Sequence, residues 1–85
     1  MEHPRMDYTV HTPKQLGKVL RGQRKTTNTS QQAVGATVGL LPKTISKLEL
    51  DPDTATVESL FKLLSALQLE LVVRARPREA SRREW

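Results

Sequence analysis

The chain has no cysteine, and its 85 residues include one tryptophan, one tyrosine and one phenylalanine. Without thiols there is no disulfide, no thiolate metal site and no thiol nucleophile. No apolar run approaches the roughly 20 residues of a membrane span. The first residues, MEHPRMDYTV, lack the apolar stretch of a signal peptide. A cytoplasmic protein with no membrane association is therefore expected. Acidic residues are scarce too, nine against 14 lysines and arginines for a net charge of +5, and none lies between Thr12 and Leu48. A run of one charge sign is usually a solvated face, but a stretch this long without an acid favours a polyanionic partner. Eighty-five residues make one small domain. A domain of that size buries roughly 60% of its surface and often gains stability by dimerising.

Catalysis finds little support. His3 and His11 stand in the N-terminal arm without a partner at metal or triad spacing. Gly17 to Gly22 has a faint phosphate-loop look, but Gln23-Arg24 follows where Lys and then Ser or Thr are needed. Asp51-Pro52-Asp53 reads as a turn rather than a metal site. No catalytic residue, metal or cofactor is expected.

What is present is a helix pair. In SQQAVGATVGLLPKTISKLE, residues 30–49, Gln31 to Thr37 reads as a helix that Thr29 or Ser30 can cap. Val34 and Val38 face inward. Gly39 supplies the positive φ of a sharp turn, and Pro42 suits the first turn of a second helix. Ile45 and Leu48 bury against the first helix, leaving Lys43, Ser46 and Lys47 on the open side. Gly35, four residues before Gly39, marks a close approach that demands a small side chain, at roughly 1 kcal/mol of helix propensity. Two packed helices without a DNA role are the plain alternative, which the spacing and the charge narrow. This is the arrangement with which a helix-turn-helix presents side chains to the major groove.

Around it, Thr12-Pro13-Lys14-Gln15 starts a helix with Leu16, Val19 and Leu20 inward, ending near Lys25. Thr56 caps a further helix with Val57, Leu60, Phe61, Leu64 and Leu67 on one face, Phe61 being expected at the centre of the core. Leu69, Leu71, Val73 and Ala75 then alternate with Glu70, Val72, Arg74 and Arg76, a strand pattern. A lone strand needs a partner, and a second copy pairing antiparallel across a two-fold axis is the simplest; the alternative is that the preceding helix continues. The fold expected is mostly α: a helix-turn-helix domain of four to five helices over 12–68, after an arm at 1–11, then one dimerisation strand at 69–76 and a flexible tail at 77–85. Trp85 is either an interface anchor in that tail or an accident of composition.

With Ser30-Gln31, Gly39, Thr44-Ile45-Ser46, Glu49 and Pro52-Asp53 in place, followed by a helix ending Leu67-Gln68-Leu69-Glu70-Leu71, the chain resembles the HipB-type antitoxins of the Xre, phage-repressor-like group. The resemblance runs from about Thr12 to Arg76, with Glu84-Trp85 as a further match. Its first half is common to the whole group; the strand and the tryptophan-bearing tail are what discriminate antitoxins. The resemblance implies a homodimer with a two-stranded intermolecular sheet and binding to palindromic operators of its own operon. It also implies restraint of a HipA-type serine/threonine kinase toxin, with Trp85 in a toxin pocket. Leu41 and Pro42 depart from the family, where polar base readers are common.

In such a dimer two recognition helices enter successive major grooves about 34 Å apart. Gln31 is expected to anchor a phosphate, with Ser30 beside it. Lys43 and Lys47 are candidates for guanine or an adjacent phosphate, Ser46 for a base edge, and Leu41 and Pro42 for a thymine methyl. Arg24 and Lys25 are either backbone contacts or solvated helix ends. Leu69, Leu71 and Val73 are the expected dimerisation residues. The rival classes are a stand-alone repressor without a toxin and a protein-interaction module that binds no DNA; weak salt dependence would mark the latter.

Overall fold

Thr12 and Pro13 start the first helix, α1 (Pro13–Thr26). The Thr12 hydroxyl accepts from the Gln15 backbone N–H at 3.1 Å, and the Gln15 side-chain oxygen accepts from the His11 N–H at 2.6 Å. Exposed N–H groups at the helix start are thus met by side chains. The computed structural model describes residues 7–77. Within them α1 is followed by α2 (Gln31–Val38), α3 (Pro42–Leu50), one 3-10 turn (Pro52–Thr54) and α4 (Val57–Ala66).

Local chemistry sets each boundary. The Ser30 hydroxyl, not that of Thr29, caps α2 by accepting from the Ala33 N–H at 3.0 Å. Gly39 ends α2 at φ 73°, where only glycine is unstrained. The Leu40 N–H then returns to the Gly35 carbonyl at 2.8 Å, closing the turn. Pro42 opens α3 where its missing N–H is not needed. The Thr56 hydroxyl caps α4 through the Ser59 N–H at 3.0 Å.

The core draws on all four helices: Leu20, Val34, Ile45, Leu48, Leu63, Leu64 and Leu67. It is wholly aliphatic. Two glycines let the backbones approach. A Cβ on Gly17 would overlap the Glu49 carbonyl oxygen, so α1 meets the end of α3 nearly backbone to backbone. A Cβ on Gly35 would overlap the Leu40 carbonyl oxygen and crowd Ile45. Glycine at 35 is therefore needed for the turn, beyond a general demand for smallness.

Two expectations need revision. Phe61 is 51% exposed and not at the centre of the core; Leu63, absent from the expected face, is fully buried in its place. The cause is the width of the apolar surface of α4. Leu60, Leu63, Leu64 and Leu67 turn inward, while Val57 and Phe61 share the neighbouring stripe and stay open. The alternative in which α4 continues through Val73 is also excluded. The helix ends at Ala66, and Gln68 adopts a left-handed φ of 61°. The Leu69 N–H bonds back to the Leu64 carbonyl at 2.8 Å. Beyond it, residues 70–77 are neither helix nor strand in the single chain, and Leu71, Val72 and Val73 are exposed.

Candidate nucleic-acid interface

The outer side of α3 follows from its period. Ile45, Leu48 and Glu49 are buried, which leaves Lys43, Ser46 and Lys47 on the opposite face. Lys43 and Lys47 are exposed and Ser46 is half-buried. Leu50, one turn beyond Ser46 and Lys47, joins the same face at 63% exposure; its place at the helix end had hidden it in the sequence. Leu41, 62% exposed, and Pro42 stand at the entrance to α3. The expected readers thus share one side of α3 and its entrance, with exposed leucines at both ends.

Behind that surface lies a polar cluster of which the chain's residue pattern bears little sign. The Glu49 carboxylate accepts from the Arg24 Nε at 2.6 Å and from the Arg24 Nη2 at 3.1 Å. Its Oε1 also accepts from the Gln31 amide nitrogen at 3.2 Å. The Arg24 Nη1 donates to the Thr29 carbonyl at 2.8 Å. The hydrogen bond to Glu49, and then the Glu49 charge, raise the Arg24 guanidinium above its ordinary pKa against an opposing effect of burial. One ion pair therefore ties α1, the α1–α2 loop, the start of α2 and the end of α3 together. The one hint is Glu49 itself, the first acid after a long acid-free stretch and a neighbour of the buried Leu48.

Arg24, expected at a phosphate or as a solvated helix end, is instead buried at 9% exposure with its guanidinium turned inward. The reason is helical phase: Arg24 is four residues after Leu20, on the core side of α1. Lys25 is exposed on the other side. Lys25, Asn28 and Ser30 line a surface hollow of about 420 Å³ at the N-terminus of α2, and Asn28 takes a left-handed φ of 58° there. Gln31 is half-buried at the same end. Its amide is oriented by Glu49, and one of its N–H donors is engaged there.

At the far end of α3, Asp51 sits beside Asp53 in the 3-10 turn. A hydrogen bond that protonated Asp51 donates to Asp53, and then the Asp53 charge, raise the Asp51 pKa; Lys47 and Lys14 pull it down. Three or more metal-ligating side chains are gathered nowhere among the described residues. No helix there is long and apolar enough to cross a membrane. Leu69 is half-buried and packs against the core of its own chain, whereas Leu71 and Val73 are exposed. Trp85 lies outside the described residues.

The helix-turn-helix family model matches residues 20–73 of the chain. Antitoxin HipB of Escherichia coli (strain K12) is 28% identical over 64 residues, which span 75% of this chain and 73% of that protein. Antitoxin HipB of Escherichia coli O6:H1 (strain CFT073) is 27% identical over 64 residues, 75% of this chain and 68% of that one. Among solved structures, a HipA–HipB–O2–O3 complex contains a chain that superposes with a TM-score of 0.80 at 25% identity, covering 84% of this chain and all of that one (100%). A HipB–O4 20mer complex gives the same TM-score of 0.80, identity of 25% and coverage of 84% and 100%.

Proposed function

Because the chain belongs to the helix-turn-helix family, we propose that it is a DNA-binding antitoxin that restrains a HipA-type kinase and represses its own operon. The observation that carries the DNA half is the outward Lys43–Ser46–Lys47 face, with both lysines exposed, on a helix that the Arg24–Glu49 pair ties to α1. Lys43 and Lys47 read guanine or touch phosphates, Ser46 a base edge, and Leu41 and Pro42 a thymine methyl. Ser30, Lys25 and the remaining Gln31 donor take a phosphate at the α2 N-terminus, where free N–H groups and the helix dipole favour an anion. The similarity to proteins named Antitoxin HipB, and to a chain from a HipA–HipB–O2–O3 complex, supports the antitoxin half. On this reading the protein is a cytoplasmic binding protein and not an enzyme.

The working unit is a homodimer. Leu71, Val72 and Val73 leave large apolar surface in water, and Val57 and Phe61 of α4 add to it at 68% and 51% exposure. Residues 69–76 pair with their copy in a two-stranded sheet, which gives their backbone groups partners, and the α4 stripe is covered at the same time. Residues 12–68 form the DNA-binding unit, and the segment 77–85 carries Trp85 into a pocket of the kinase.

The test is a pull-down of the tagged chain from its own cells, beside a form lacking Trp85. Co-purification of a kinase-like protein, weakened by loss of Trp85, is the expected result. Recovery of DNA without any protein partner would replace the antitoxin reading with a stand-alone repressor.

A further inference from the structure

Helix α1 carries Lys14, Lys18, Arg21 and Lys25 at spacings of four, three and four residues, so the four cations fall on one line along the helix. All four are exposed, and none forms an ion pair among the described residues. The core side of the same helix is taken by Gly17, Leu20 and Arg24. The line is about 16 Å long at 1.5 Å per residue. Its ends are fixed by the motif. Lys25 shares the hollow at the α2 N-terminus with Ser30, and Lys14 lines a second hollow with Leu50, Asp51 and Asp53 at the end of α3.

This arrangement works against the helix that bears it. Lys14–Lys18 and Arg21–Lys25 are like-charge pairs four apart, which weaken a helix. Lys14 also stands in the first turn, where the helix dipole disfavours a cation and where α1 has no acidic residue to compensate. A surface that breaks local rules with little internal gain, here Lys14 near Asp51 and Lys25 in the last turn, points to an external ligand. Four cations in a row, none of them in an ion pair, suit an extended polyanion. One strand of duplex DNA, with a phosphate about every 3.4 Å of helix axis, offers several along the same length.

We propose that the Lys14–Lys18–Arg21–Lys25 line of α1 is a second, sequence-independent track for the DNA sugar-phosphate backbone, continuous with the phosphate site at the α2 N-terminus. The inference rests on the DNA-binding reading above. The track adds affinity and salt dependence and leaves base choice to α3.

The experiment compares the full chain with a variant carrying Lys14→Gln, Lys18→Gln, Arg21→Gln and Lys25→Gln. The probe is a mixed-sequence duplex of about 30 base pairs, titrated from about 50 to about 300 mM salt. The slope of log K against log salt is expected to become shallower by about 0.9 for each phosphate that is no longer neutralised, approaching about 3 to 4 for all four. Affinity near physiological salt should fall at least about tenfold, by a similar factor on every sequence. Removal of the like-charge pairs should leave the melting temperature unchanged or raised; if it falls instead, the Lys18→Gln/Arg21→Gln pair serves, with roughly half the change in slope. An unchanged slope in a folded variant, while the parent chain binds steeply, would falsify the track alone. A parent chain that binds no duplex overturns the track and the DNA reading together. Variants that keep the parent slope but lose capture of an acidic protein reassign the line to a protein partner and overturn the proposal.

Discussion

The Glu49 side chain is 2% exposed and takes hydrogen bonds from Arg24 and Gln31. A buried ion pair of this kind contributes little net stability, but removing one partner strands the other charge at about 3–5 kcal/mol. Arg24→Met is therefore expected to destabilise the chain by about that amount. The double variant Arg24→Met/Glu49→Leu should recover most of the loss, because no charge is left unpaired. Urea denaturation of the two singles and the double measures this; losses that simply add would remove the coupling. Glycines of α1 give a second contrast, of opposite sign. Gly17→Ala must push its methyl into the Glu49 carbonyl, whereas nothing lies within 4 Å of a Cβ on Gly22. Gly17→Ala should cost about 1–3 kcal/mol through overpacking. Gly22→Ala should add about 0.5–1 kcal/mol through helix propensity. The same denaturation curves read both, and two changes of the same sign would contradict the packing of α1 on α3.

Among the elements, α4 divides its apolar residues between two uses. Leu63 and Leu64, with Leu67 just past its end, fill the core, while Val57 and Phe61 stay exposed and in the proposed dimer face the second copy. Phe61→Asp is expected to leave monomer stability within about 0.5 kcal/mol, as for an exposed site. It should weaken the dimer at least about tenfold, which is about 1.4 kcal/mol, as loss of a buried aromatic anchor. Sedimentation equilibrium tests this, and an unaltered dimer would move the interface off α4. The 3-10 turn offers a pH test. Asp53 raises the Asp51 pKa above its ordinary 3.8, so the folded state favours the protonated form. Repulsion is thus present above the raised pKa and fades as pH falls toward the ordinary value. Asp53→Asn should melt higher than the parent at pH 7 and equal it near about pH 3; a constant difference would exclude this origin. The same elements show where the sequence was legible. Thr12, Ser30, Gly39, Pro42 and Thr56 obey local capping and turn rules, so helix boundaries could be read within a residue or two. The inward side of α4 could not, because its apolar residues cover more than half of the circumference and only packing selects among them. Nor could Arg24 be told from Lys25, since adjacent cations differ in helical phase and not in kind. A strand at 69–76 needs backbone partners from another chain, and one chain leaves that pairing open.

For the whole molecule, the distribution of charge and the dimer act together. On the proposed reading one subunit offers two lysines on α3 to a groove, a small basis for specific binding. Two subunits that place their recognition helices about 34 Å apart make the second binding event intramolecular, and avidity can then exceed the affinity of one half by orders of magnitude. Lys43 is the side chain with which to separate readout from attraction. It is exposed in the first turn of α3, the end that on the proposed reading enters the groove. If Lys43 pairs with guanine, Lys43→Ala should cost about 1–3 kcal/mol per half-site and relax preference at one base position. If it meets only phosphate, all sequences should weaken alike and the salt slope should drop by about one. Selection of bound duplexes from a randomised library, for the parent and for Lys43→Ala, separates the two. A recovered motif that is identical at every position, with lower affinity throughout, would shift base readout to Ser46 and Lys47. The apolar Leu41 and Pro42 at the α3 entrance would then favour thymine by methyl contact, and the motif should carry a thymine in each half-site.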